Sequence, residues 1–137
     1  MKGKIVLVQF PFDDLSDFKV RPAYCLTDAI GDYKHVIFAL ITSRIPTILL
    51  DTDLIIDLTH PDFHLSGLIQ PSTIRLDHLV TLRQSMIRRE LGLLNLSTQH
   101  KIAEIIANLI QPWLIYIERA SFRRVAKLHT RFLHKFC

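Results

Sequence analysis

The chain has 137 residues, of which 49% are hydrophobic and 22% charged, enough apolar material for one globular core and too much for a disordered chain. The formal charge of +4 is unevenly placed: residues 1–118 carry 11 Lys+Arg against 13 Asp+Glu, whereas residues 119–137 carry six basic and no acidic residues, so the basicity belongs to the tail. Cys25 and Cys137 are the two cysteines, too few and too far apart for a disulfide framework or a zinc cage.

The chain opens with Ile5 to Phe10, an apolar run too short for a signal peptide and lacking a small-residue cleavage site. No run approaches the roughly 18 apolar residues of a membrane span, and the expected location is the cytoplasm. Lys4 to Phe10 is rich in β-branched residues and stops at Pro11, the pattern of a strand. Phe12 to Lys19 is expected to be a loop, because Asp13, Asp14, Ser16 and Asp17 favour turns. Those three carboxylates also suit a divalent cation, although a magnesium site of this kind needs phosphates or further ligands to complete its octahedron.

From Lys19 to Asp28 the chain sets Arg21-Pro22 before Ala23-Tyr24-Cys25-Leu26. Proline lacks an N–H, so Pro22 is expected at the first position of a strand, with Arg21 at the rim of a sheet and the apolar run buried on both faces. A solvated loop cation is the plainer reading of Arg21. A Gly31-Asp32 turn and a strand from His35 to Thr42 complete a hairpin, whose antiparallel return brings Thr42 and Ser43 back beside Arg21.

Leu49 to Ile56 reads as a short edge strand. Thr59 to Gly67 is expected to be a polar surface loop from its Pro, Gly and Ser content, with His60, Asp62 and His64 as candidate metal ligands that lack a second cluster. Leu68 to Leu82 is strand-like, with Arg75 and Asp77 on one face. Ile87 to Leu94 is the last expected strand. Ser97 is placed as the N-cap of a helix with Ile102, Ile105, Ile106, Leu109 and Ile110 at helical spacing, ending before Pro112.

In the tail, Phe122, Val125, Leu128, Phe132 and Phe136 recur every three to four residues between six basic residues, the pattern of a basic amphipathic helix. Such a helix can bind RNA, an anionic membrane or a protein partner, or fold onto the domain. Two units are therefore expected, a domain over 1–111 and an extension over 112–137.

Five stretches taken in order resemble the PemK/MazF family of toxin endoribonucleases. They are Gly3 to Phe12 (Gly-x-Ile-Val-Leu-Val-x-Phe-Pro-Phe), Arg21-Pro22, Ile41-Thr42-Ser43, Gly67 to Leu82 (Gly-Leu-x-x-Pro-Ser-x-x-Arg-x-Asp-x-Leu-x-Thr-Leu) and Ile87 to Gly92 (Ile-x-Arg-x-x-Gly). The resemblance implies a mainly β (α+β) fold, a compact SH3-like antiparallel barrel with a C-terminal helix. It further implies a homodimer, metal-independent cleavage of single-stranded RNA without a cofactor, and inhibition by a cognate antitoxin peptide. It carries Arg21, Thr42 and Asp77 over as catalytic residues and Ser43, Arg75 and Lys19 as RNA-binding ones. Three departures accompany it: Lys4 replaces a usual acidic residue, the first loop is acidic, and the chain runs on past the family's usual end.

The residue types fit that chemistry. Metal-free cleavage uses the 2′-hydroxyl as nucleophile and needs a proton acceptor, charge stabilisation at phosphorus and a proton for the leaving oxygen. A guanidinium suits the second role and not the first. Asp77 suits the proton acceptor, or it stiffens the strand as an ion-pair partner of Arg75. A gyrase-poison-like toxin, a barrel that only binds nucleic acid, or a decayed toxin remain as non-enzymatic alternatives.

Overall fold

The computed structural model describes residues 1–10 and 19–111. The acidic loop and the tail beyond Gln111, with the expectations attached to them, lie outside the described residues. Six strands form one antiparallel sheet: β1 (Lys4–Phe10), β2 (Lys19–Cys25), β3 (His35–Thr42), β4 (Asp53–Ile56), β5 (Ser72–Arg83) and β6 (Ile87–Leu93). Two helices accompany it, α1 (Phe63–Ser66) and α2 (Leu96–Ile110).

The sheet order is β4-β5-β3-β2-β1-β6. β5 and β6 are thus second and sixth in the sheet, yet only a single 3-10 turn, Gln84–Met86, joins them. Three residues span about 10 Å at full extension, and neighbouring strands lie almost 5 Å apart, so a flat sheet cannot make this connection. The sheet curls so that the end of β5 comes close to the start of β6.

Curling explains the apolar runs of β1 to β3. One core packs Ile5, Tyr24, Ala39 and Ile41 with Leu54, Ile74, Leu76 and Ile102 of α2. The other packs Val6, Val8, Phe10, Ala23, Cys25, Val36 and Phe38 inside the curl, against Val80, Leu82 and Met86. Burial raises the Cys25 thiol to about 11, which leaves it un-ionised and unreactive at neutral pH.

Three local expectations are corrected. β2 begins at Lys19, so Arg21 and Pro22 lie within the strand, opposite Val8 and Leu7 of β1. Pairing with β3 starts only at Ala23, and the β3 side of the Arg21-Pro22 segment is therefore an open edge where a residue without an N–H is tolerated. The segment expected to be a surface loop between Thr59 and Gly67 holds α1, and Asp62 there is only 1% exposed. Gly67 closes α1 with φ of 70°; a β-carbon there would collide with the Leu91 carbonyl oxygen of β6.

The third concerns Ser97: the residue preceding α2 is Asn95, whose side chain makes no capping bond within its own helix. Instead Asp62 accepts hydrogen bonds from the Asn95 backbone N–H at 2.9 Å and from Asn95 Nδ2 at 2.6 Å, while its own N–H is donated to His60 Nδ1. Burial opposes its charge, but the bonds from the Thr98 hydroxyl and both Asn95 donors outweigh burial and hold Asp62 below the usual carboxylate range. A carboxylate from another element thus occupies the start of α2, where the helix dipole also favours it.

Asp62→Ala strands those donors and should cost about 2–3 kcal/mol at pH 7 by the usual cost of unpaired buried groups. A depressed carboxylate stabilises above its unfolded pKa of about 4 and loses that contribution as pH falls through the folded value. Urea unfolding of both proteins should show the gap closing below about pH 4.

Candidate active site at the rim of the curled sheet

Arg21 is exposed on β2 and Thr42 ends β3. The two line the wall shared by two depressions. The first, of about 390 Å³, is bounded by Arg21, Pro22, Thr42 and Ser43 together with Arg44 and Arg89, over apolar Leu7, Leu68 and Leu91. The second, of about 350 Å³, is lined by Phe10, Arg21, Pro22, Leu40, Ile41, Thr42, Arg75 and His78. Four arginines border the pair of hollows and no acidic residue lines either among the described residues. This surface suits a polyanion, whose phosphates accept the planar fork of donors that each guanidinium presents.

Thr42 is fixed locally. Its Oγ1 accepts the backbone N–H of Arg44 at 3.2 Å, which leaves the hydroxyl proton to donate. Thr73 Oγ1 donates to the Arg44 carbonyl at 3.1 Å and ties the turn carrying Ser43 and Arg44 to β5. Lys19 shares the face of Arg21 by strand alternation but lines neither hollow.

Arg75 and Asp77 do pair, Nη2 to Oδ2 at 3.7 Å. Arg75 also lies 3.9 Å from Asp53 Oδ1 of β4, a carboxylate whose side chain is 3% exposed. Asp77 itself does not line the hollows, whereas its neighbour His78, with Nε2 3.6 Å from Asp77 Oδ2, does. Lys4 is engaged away from the site, 2.8 Å from Glu90.

Arg44, Arg89 and His78 were missed in the sequence. Arg44 directly follows Thr42-Ser43 and was open to detection as a third polar residue on that turn. Arg89 is the arginine of the Ile87 to Gly92 motif, which was quoted without a site role; it pairs with Leu7 and lines the hollow beside it. Among the described residues no group of three or more His, Cys, Asp or Glu could hold a metal ion, so His60, Asp62 and His64 form no such cluster.

The sequence profile of the PemK-like, MazF-like toxins of type II toxin-antitoxin systems matches residues 1–110. The chain belongs to this family. Among solved structures, the fold is similar to a Mycobacterium tuberculosis toxin, MazF-mt6, at 26% identity over 79% of this chain and 96% of that one, with a TM-score of 0.60. It is also similar to MazF of Deinococcus radiodurans, at 19% identity over 80% and 94% of the two chains and a TM-score of 0.59. A mycobacterial endoribonuclease solved with its cognate antitoxin aligns at 16% identity over 80% and 93%, with a TM-score of 0.55. Comparison with curated proteins gives no match. The MazF-like fold is thus the one expected, and among the described residues no helix is long and apolar enough to cross a membrane.

Arg75 has a structural duty besides facing the second hollow. Asp53 Oδ1 is buried without a hydrogen bond, and the Arg75 guanidinium is the cation beside it. Arg75→Ala should therefore lower stability by about 1–3 kcal/mol, the cost of leaving a buried polar group uncompensated. Thermal unfolding of the variant beside Arg75→Lys, which keeps the charge, checks this.

Proposed function

We propose that this chain is the toxin of a type II toxin-antitoxin pair, an endoribonuclease that cuts single-stranded RNA and so stops translation and growth. The observation that carries the reading is the placing of Arg21 and Thr42 side by side on the wall between two arginine-bordered hollows. Membership of the MazF-like toxins and the likeness to MazF-mt6 support it.

The strand crosses both hollows with its scissile phosphate against Arg21 and Thr42. Arg21 stabilises the charge gathering on the phosphorane oxygens, an effect that is large where the donors are already in place. Thr42 donates its hydroxyl to the same phosphate, and Ser43, Arg75 and Lys19 hold the flanking backbone. Asp77 supplies the carboxylate of the acid–base machinery. The nucleophile is the 2′-hydroxyl, which restricts the substrate to RNA, and no metal or cofactor takes part. The products are a 2′,3′-cyclic phosphate and a 5′-hydroxyl.

The protein acts in the cytoplasm as a homodimer, and a cognate antitoxin peptide silences it by covering the groove. Residues 1–111 form the catalytic unit and 112–137 a basic extension.

Arg21→Ala should remain folded and lose RNA cleavage and growth inhibition by at least about 10²-fold, the usual loss on removing one preorganised charge stabiliser. A folded variant with full activity overturns the role of Arg21. End-group analysis of the fragments by mass spectrometry, with and without EDTA, tests the chemistry. Cyclic phosphate and 5′-hydroxyl ends in both conditions are expected; 5′-phosphate ends, or cleavage only with added magnesium, overturn the mechanism.

Truncation after Gln111 should leave a folded, active protein, since the sheet and α2 account for the region that the family profile matches. Aggregation would show that the tail's Phe face belongs to the core. Lost RNA affinity with a shallower salt dependence would show that its basic face binds phosphate.

A further inference from the structure

RNA cleavage of the kind proposed above requires a group that takes a proton near neutral pH. Neither a guanidinium nor a threonine hydroxyl does this, and Asp77 lines neither hollow. His78 lines the second one, with Arg21, Thr42 and Arg75, and its side chain is 45% exposed.

A regular strand would not put it there. Residues 75 and 78 differ in parity, and strand alternation sends them to opposite faces. The register between β3 and β5 jumps from Ala39↔Leu79 to Leu40↔Arg75, leaving Leu76, Asp77 and His78 opposite no residue of β3. Such bulges re-aim side chains, and this one brings His78 and Arg75 to the same hollow.

We propose that His78 is the residue that removes the 2′-hydroxyl proton, with Asp77 acting as a positioning residue through it. The inference rests on the endoribonuclease reading and assigns its proton acceptor. His78 Nε2 lies 3.6 Å from Asp77 Oδ2; in the proposed acceptor form Nε2 keeps its hydrogen on the carboxylate side and Nδ1 carries the lone pair. The 2′-hydroxyl proton passes to Nδ1, O2′ bonds to phosphorus, the P–O5′ bond breaks, and the departing oxygen takes a proton from solvent. The imidazolium then returns its proton to water.

The charged groups that face His78 among the described residues are Arg21 of β2 and Arg75 and Asp77 of β5; β3 contributes the uncharged Thr42 and β1 contributes Phe10. Of these, Asp77 is the group beside the ring, with Oδ2 at 3.6 Å from Nε2, and orients it.

The test is kcat and KM on a single-stranded RNA oligonucleotide from about pH 5 to 8, where imidazoles change charge, for the wild type, His78→Gln, His78→Asn and Asp77→Asn. In the wild type kcat should rise with pH across this range. Both His78 variants should lose about 10²–10⁴-fold in kcat, keep KM within about threefold of wild type and lose the acidic limb. Asp77→Asn should keep the limb but lower kcat, because the ring loses the carboxylate that orients it.

His78 variants with wild-type kcat, or with a lowered kcat and an unchanged acidic limb, overturn the proposal. If the wild type cuts RNA and Arg21→Ala does not, such a result removes His78 alone and leaves the endoribonuclease reading standing. A wild type that cuts no RNA removes that reading, and this inference with it.

Discussion

Closure of the sheet is the constraint on which the rest of this molecule depends. Because Gln84–Met86 must join the second strand of the sheet to the sixth, the sheet has to curl, and β1, β2 and β3 become buried on both faces. Their apolar residues then divide between a core inside the curl and a core under α2. Strands fixed from both sides have little freedom along their length, but their ends emerge at the rim, where polar side chains reach solvent from a rigid base. Thr42 stands at such an end, and Arg21 beside it on the part of β2 that pairs with β1 but not with β3. A site built this way holds its donors in place before a phosphate arrives, the condition under which electrostatic stabilisation is strongest.

Much of this was legible in the sequence, for a definite reason. Continuous runs such as Ile5 to Phe10 and Val36 to Ile41 exceed what a half-exposed strand needs, and the Gly31-Asp32 turn between two runs forces an antiparallel return that sets Thr42 beside Arg21. What escaped depended on register and on polar burial. The Leu40↔Arg75 jump leaves no mark in composition, so His78 read as an ordinary strand residue. Asp62 looked like a surface carboxylate because Pro61, His64 and Ser66 around it are loop formers, whereas its burial is decided by Asn95, 33 residues away. Ser97 was a reasonable cap by residue type, but the helix starts two residues earlier than its pattern suggests, after Asn95. Pro22 was expected to open a strand, and the half-paired edge of β2 accommodates it three residues further in.

Net charge was a poor guide to the site, and its distribution a good one. Without the tail the chain is slightly acidic, yet the hollows are bordered by Arg21, Arg44, Arg75 and Arg89. Several acidic residues are drawn off elsewhere: Glu90 holds Lys4 at 2.8 Å, and Asp28 holds the N-terminal ammonium at 3.2 Å. With a Debye length of about 8 Å in physiological salt, an approaching polyanion responds to charges within the groove and scarcely to those on the far side. A local cluster of arginines therefore acts as a positive site on a nearly neutral domain.

The two arginines of the second hollow differ in what their positions demand. Arg21 lies on the open edge of β2, opposite Val8 of β1, where pairing with β3 begins two residues later. Arg75 lies in the middle of the sheet, paired with both β3 and β4, between buried Asp53 and half-exposed Asp77. Its charge offsets a carboxylate that the fold has already desolvated, and this holds whether or not a ligand is bound. Binding a phosphate at Arg75 would share a guanidinium that two carboxylates already engage, which weakens its pull on the ligand, while its removal leaves buried Asp53 without the cation beside it. Loss of activity on changing Arg75 therefore mixes support of the site with contact to the ligand. Position in the sheet, more than residue type, separates the arginine suited to transition-state charge from the one that holds the site in shape.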